Sequence, residues 1–251
     1  MECQGSKPSE PALLSKRMNL IDRYELNRRS FQLLGRRLDD NQSRLMVPAT
    51  LEWTVCDTFA HMAGVADDIL AGRMEGVATD PWTEAQVQRR RGRTLSELLD
   101  EWEESAPRLE ELLKPMADQI DPRLVIDLWT HEQDVRGAVG IHGGDHGETL
   151  NWIARHILAG WRKAVERSTL PLVQIESVPA EAKLGDQPEP SDSEERAAYL
   201  RIAPYEIARM GVGRRSRSQI LSYEWSGVAD PSAYIDLLVA FTPATQDIMD
   251  A

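Results

Sequence analysis

Apolar residues recur at helical spacing through the first two thirds of this chain, and that period restricts it to a core built of helices on helices. Leu20, Tyr24, Phe31, Leu34 and Leu38 share one helix face. Val55, Phe59, Met62, Ala66 and Ile69 repeat the pattern behind Thr54 and Asp57, which read as an N-cap with an acid in the first turn. A third period, in TLSELLDEWEESAPRLEELLKP, stops at Pro115, and Pro107 inside it predicts a break or kink. Asp121 and Pro122 open a fourth segment, LVIDLWTHEQDVRGAVG, which Gly140, Gly143 and Gly144 close. GETLNWIARHILAGWRKAVERST supplies a further helix. Segments of this length with short connections predict an antiparallel bundle of four or five helices.

Beyond residue 168 the pattern changes. LPLVQIESV, AAYLRIAP and QILSYEWSG read as strands; PYEIARMGVGRR and PSAYIDLLVAF read as helices. Residues 176–198, rich in acid, Pro and Ser, read as a solvated loop or linker. The expected class is therefore α+β. A helical bundle over 17–168 precedes a small α/β domain over 169–251 that carries the acidic loop. No solenoid repeat is present.

The net charge of −12 over 251 residues argues against a nucleic-acid-binding surface, which needs a basic excess to displace counterions. It suits a protein that handles small molecules. No run of about 18 apolar residues marks a membrane span, and the N-terminal stretch lacks the apolar core of a signal peptide. Two cysteines, Cys3 and Cys56, do not make a disulfide framework. A cytoplasmic location is expected, with no membrane partner. The oligomeric state is not legible.

Polar residues in an apolar stripe are the informative exception. Asp127 and His131 lie among Leu124, Leu128, Val135 and Val139, and four residues apart they are neighbours on one helix face. An unpartnered carboxylate there would cost several kcal/mol, on the order-of-magnitude scale for buried ions, so it needs a partner. His61 borders the stripe of its own helix. If the two helices face one another, two imidazoles and a carboxylate form a common three-ligand set for a divalent metal, with one coordination position open. The plainer alternative is a hydrogen-bonded Asp–His pair at a bundle edge beside a packed histidine.

The surrounding residues favour the metal. LEWTVCDTFAHMAG closely resembles the first metal segment of the mycothiol-dependent maleylpyruvate isomerase family, within the wider DinB-like metal-binding helical bundles. DLWTHEQDVRGAVG resembles the family's second metal segment, and IARMGVGRRSRSQILSYEWSGVADP its second domain. The resemblance implies a bundle holding one divalent metal, commonly zinc, through His61, Asp127 and His131, with mycothiol taking the open position. Family members usually carry glutamate where this chain has Asp127, so the shorter side chain implies a looser or water-mediated contact. The implied chemistry is isomerisation of a cis-enedioate by thiolate addition, rotation and elimination, or S-transfer to a small electrophile. The rival is a non-catalytic metal-binding or regulatory module that retains the bundle.

The other candidates each carry two readings. Arg214 and Arg215 can bind a substrate carboxylate, or Arg215 with Arg136 the polar part of the thiol; equally, they form a solvated helix end and Arg136 an ion pair within the bundle. Asp134 can orient His131 from behind, or be a solvated or salt-bridged acid. Cys56 lies in a helix's first turn, where the dipole is expected to lower its pKa, but it faces away from His61. His142 and His146 read as surface residues, His156 as structural, and QRRRGR at 88–93 as a solvated loop.

Overall fold

Side-chain caps set where the helices begin. The computed structural model describes residues 18–144, 147–177, 198–238 and 241–250. Cys3, His146 and most of the acidic 176–198 stretch lie outside these. Helix α1 (Leu20–Gly35) starts at Asn19, whose side chain accepts the Asp22 N–H; a short α2 (Asp40–Ser43) follows behind an Asp39/Gln42 capping box. Strands β1 (Met46–Val47) and β2 (Thr50–Thr54) form an antiparallel hairpin. Thr54 then opens α3 (Val55–Leu70) through a reciprocal capping box with Asp57, as the sequence predicts. Next come α4 (Asp80–Arg90) and α5 (Leu95–Leu113), the latter capped by Thr94 and Glu97. A 3-10 turn (Lys114–Gln119) leads to α6 (Arg123–Val139), which ends at Gly140 with φ 67°, a left-handed cap that suits glycine. Helix α7 (Gly147–Glu166) completes the helical part.

The remainder is mixed. Strand β3 (Val173–Ser177) pairs in parallel with β4 (Ala198–Ile202). Helices α8 (Pro204–Gly211) and α9 (Arg217–Leu221) follow; β5 (Glu224–Ser226) then lies antiparallel to β4, and α10 (Ser232–Ile235) is a single turn. The sheet order is β3-β4-β5. The class is α+β.

In the helical part, α1 packs on α5 and α6, and α3 packs on the same two helices. Phe31, Phe59 and Trp102 meet at its centre, with Phe31 and Phe59 ring centroids 4.5 Å apart. A second core joins α7, β4, α8, α9 and α10. Between them Ile126, Trp129, Ile153, Ala208 and Val212 form a third cluster, so α6 buries one face in each direction.

Residues 46–54, for which the sequence pattern predicts no element, fold back as a hairpin before α3. Three local readings of the sequence are corrected. Pro107 does not break α5: it sits on the exposed face, where water can reach the carbonyl that loses its partner. Residues 88–90 of the basic run belong to α4, and Arg90 is buried against Glu101 and Asp67, not solvated. QILSYEWSG divides between α9 and β5, because a Ser216/Gln219 capping box turns its first half into helix and sends Ile220 into the core.

Helix α4 reaches α3 at Gly64, where an added Cβ would stand 2.5 Å from Gln86 Cβ and 2.8 Å from its Cγ. Gly64→Ala is expected to destabilise the fold by about 1–3 kcal/mol through overpacking, read as a lowered urea midpoint.

Candidate metal centre

Three side chains from two helices converge. His61 projects from α3; Asp127 and His131 project from successive turns of α6. His61 Nε2 lies 3.4 Å from Asp127 Oδ2, and His131 Nε2 lies 3.4 Å from Asp127 Oδ1. Ligand atoms of all three fall within 4.8 Å of one another. These separations are long for hydrogen bonds, which favour about 2.7–3.2 Å. One ligand atom from each residue lies near enough to the other two for a single ion to be reached by all three. The donor set and spacing therefore fit a divalent ion.

Each imidazole presents Nε2 to this point and uses Nδ1 elsewhere. His61 Nδ1 lies 2.7 Å from Gln86 Oε1, and Gln86 donates through Nε2 to Asp68 at 2.9 Å. Asp68 in turn accepts from Arg73 and Arg89. The amide thus has its oxygen turned to His61 by the carboxylate at its other end. On the opposite side His131 Nδ1 stands 3.5 Å from Asp134 Oδ2. Asp134 is buried and accepts from Arg209 Nη1 at 2.8 Å and Arg214 Nη2 at 2.9 Å. It is both salt-bridged and placed behind His131, and not solvated. Trp53, from β2, covers one side, its ring centroid 5.1 Å from His61 and 5.8 Å from His131.

The electrostatics follow from these contacts. Burial pushes the Asp127 carboxyl up, but the imidazoles of His131 and His61 outweigh it and hold the group well below the usual carboxylate range. Although closely packed by neighbouring atoms, the Asp127 side chain keeps 43% of its surface open. Burial lowers the His131 pKa, yet Asp127 and then Asp134 raise it to about 9. For Asp134 burial is opposed by Arg214 and Arg209, which hold it far below its ordinary value.

The remaining sequence candidates are placed as follows. Arg136 pairs with Glu132 at 2.8 Å and reaches Ser30. Burial pushes Glu132 up to about 7 despite Ser30 and Arg136. Arg214 lies on Asp134, 15% exposed. Arg215 is buried between Glu206 at 2.6 Å and Asp250 at 2.5 Å. Cys56 departs from the dipole expectation: burial, with Asp57 beside it, pushes its thiol up to about 11. His142 is exposed, and His156 stacks on Trp152 at the surface. Neither Trp53 nor Gln86 is marked by sequence spacing. Trp53 stands one residue before the Thr54 cap, which is the only positional hint it carries; Gln86 has none.

Residues 25–136 match the family model described as Mycothiol maleylpyruvate isomerase N-terminal domain. The matched span contains His61, Asp127 and His131. No curated protein and no solved structure matches the chain. No helix among the described residues is long and apolar enough to cross a membrane.

A pH dependence follows from the raised His131 pKa. In the metal-free protein its charged form gains from Asp127 and Asp134, so this stabilisation is complete below about 6.5 and is lost as pH rises through about 9. Thermal unfolding of metal-free protein across that window should show falling stability, and His131→Gln should flatten the profile. Gln86→Leu is expected to weaken binding of Zn2+ by about 10–100-fold, measured by competition with a chromogenic chelator.

Proposed function

We propose that this chain, whose residues 25–136 belong to the mycothiol maleylpyruvate isomerase N-terminal domain family, is a metal-dependent enzyme that uses a low-molecular-weight thiol, mycothiol in the first instance. The reaction is isomerisation of a small unsaturated acid or S-transfer to a small electrophile. The observation that carries this reading is the convergence of His61, Asp127 and His131, with ligand atoms within 4.8 Å of one another, inside that domain. We read the four packed helices α1, α3, α5 and α6 as the DinB-like bundle, and residues 169–251 as its second domain.

A bound divalent ion, zinc in this reading, would favour the thiolate over the thiol at neutral pH and so supply the nucleophile. The chain's own residues do the rest. His61 and His131 present Nε2 because Gln86 and Asp134 occupy the space behind Nδ1. Asp127 contributes negative charge at the open edge of the group, the side from which a thiol has access. Trp53 restricts approach from the hairpin side and offers an aromatic face to a planar unsaturated group. Cys56 is unsuited as nucleophile, since its thiol is held protonated. Arg214 is the arginine we assign to a substrate carboxylate, reached by sharing its contact with Asp134. Arg215 and Arg136, assigned to the thiol's polar part, would have to exchange ion pairs already made with Glu206, Asp250 and Glu132.

Purified protein should contain about one equivalent of metal, and His61→Ala or His131→Ala should abolish it. With metal bound, mycothiol and a panel including maleylpyruvate and alkylating electrophiles should give isomerisation or thiol consumption. Metal without either activity would favour a non-catalytic binding or regulatory module; no metal at all, with no loss on His61→Ala or His131→Ala, would sink the enzyme reading. Activity with bacillithiol or glutathione in place of mycothiol would replace the cofactor and leave the site standing.

A further inference from the structure

Arg209 is wholly buried, and its guanidinium is divided between two acids from different parts of the chain. Nη1 donates to Asp134 Oδ1 at 2.8 Å; Nη2 and Nε donate to Asp250 at 2.8 and 3.2 Å. The group is planar and rigid, so once two donors are fixed on Asp250 the direction of Nη1 is fixed as well. Arg214 takes the other Asp134 oxygen, Oδ2, the atom that stands 3.5 Å from His131 Nδ1. Gripped at both oxygens, the Asp134 carboxylate has no freedom to turn.

Asp250 is itself anchored. It accepts from Arg215 at 2.5 Å. The segment that carries it is tied down through Ala244 N–H to Arg215 O, and through Ile248, whose N–H and C=O both meet the Gln219 side chain. This segment then crosses α6 at Gly137, where Asp250 Cα, Asp250 Oδ1 and Met249 O all stand 3.7 Å from a notional Cβ. A buried salt bridge contributes little to stability on its own account. What this one adds is a chain of contacts from residue 250 to the imidazole of His131, whose last link, Asp134 Oδ2 to His131 Nδ1 at 3.5 Å, is an ion-pair approach rather than a hydrogen bond.

We propose that Arg209 is a positioning residue for His131, acting through Asp134, and that Asp250 sets Arg209 in turn. The candidate metal centre is thereby completed from outside the matched N-terminal span, by residues of α8 and of the 241–250 segment. This inference rests on the reading of His131 as a ligand.

The test compares Arg209→Met, Asp250→Asn and Glu206→Gln. Glu206 belongs to the same ion network but pairs with Arg215 and Tyr223, not with Arg209 or Asp134. Three quantities are read: the Zn2+ Kd by chelator competition, the exchange lifetime of the His131 Nδ1–H by NMR in metal-free protein, and the urea midpoint. Arg209→Met should raise the Kd by about tenfold or more and shorten the Nδ1–H lifetime. Asp250→Asn should move both in the same direction by a smaller factor. Glu206→Gln should leave both unchanged while lowering the urea midpoint. Equal effects of Asp250→Asn and Glu206→Gln, or none from Arg209→Met and Asp250→Asn, would overturn the proposal. Where Arg209→Met does not fold, Asp250→Asn against Glu206→Gln decides. If wild-type protein binds no Zn2+, the metal reading fails separately, and the Nδ1–H lifetime alone decides: unchanged in Asp250→Asn, it overturns the positioning role.

Discussion

A carboxylate flanked by two imidazoles is the contact around which the helical part is arranged. Asp127 and His131 sit among Leu124, Leu128 and Val135, positions an ordinary bundle would fill with aliphatic groups. Polar groups there are tolerable only if each finds a partner, and the partners have to come from other helices. The demand fixes the azimuth of α3, which must bring His61 round to α6. It brings α4 close to α3 at a glycine, so that the Gln86 amide reaches His61. It brings α8 and the turn that follows it to α6, so that Arg209 and Arg214 reach Asp134. Three helix contacts that look like packing are also answers to one electrostatic problem.

The two imidazoles are supported differently. Behind His61 stands a neutral amide, oriented by Asp68 at one remove. Behind His131 stands a carboxylate in the immediate next layer, its charge balanced by Arg209 and Arg214. A carboxylate partner raises the basicity of an imidazole ligand more than an amide does. As ligands, His131 would be the stronger donor of the pair and His61 the more adjustable one. Because Asp134 is neutralised from behind, Asp127 alone supplies uncompensated negative charge at the front. A dication bound there would keep a net positive balance, which would attract an anionic sulfur.

Periodicity and caps made the helices legible. Thr54 and Asp57 announce α3, and Asp121, Pro122 and Gly140 bracket α6, because these signals act over a few residues and need nothing distant. The hairpin before α3 was hidden, since five residues of LEWT-type composition satisfy either a helix lead-in or a short strand. Helix α4 was hidden for a related reason. Its apolar content is low, and it is held by Arg89 and Arg90 pairing with Asp68, Asp67 and Glu101, contacts that only the folded chain defines. The candidate trio was readable because it combines i, i+4 spacing with residue types that are out of place. Gln86, Arg209 and Asp250 were not, because each acts through a hydrogen bond across more than twenty residues of chain. Arg215 illustrates the limit from the other side: an arginine in a glycine-flanked run looks available for a ligand, and only the fold shows Glu206 and Asp250 already on it.

Trp53 has a consequence of an optical kind. An indole lies within 6 Å of both ring centroids of the imidazole pair, held by a strand that runs directly into the α3 cap. Its emission is therefore sensitive to what stands between those imidazoles. An open-shell ion such as Cu2+ or Co2+ at that point would quench it, and a closed-shell ion such as Zn2+ would not, so the side chain that walls the site also turns its contents into a fluorescence signal.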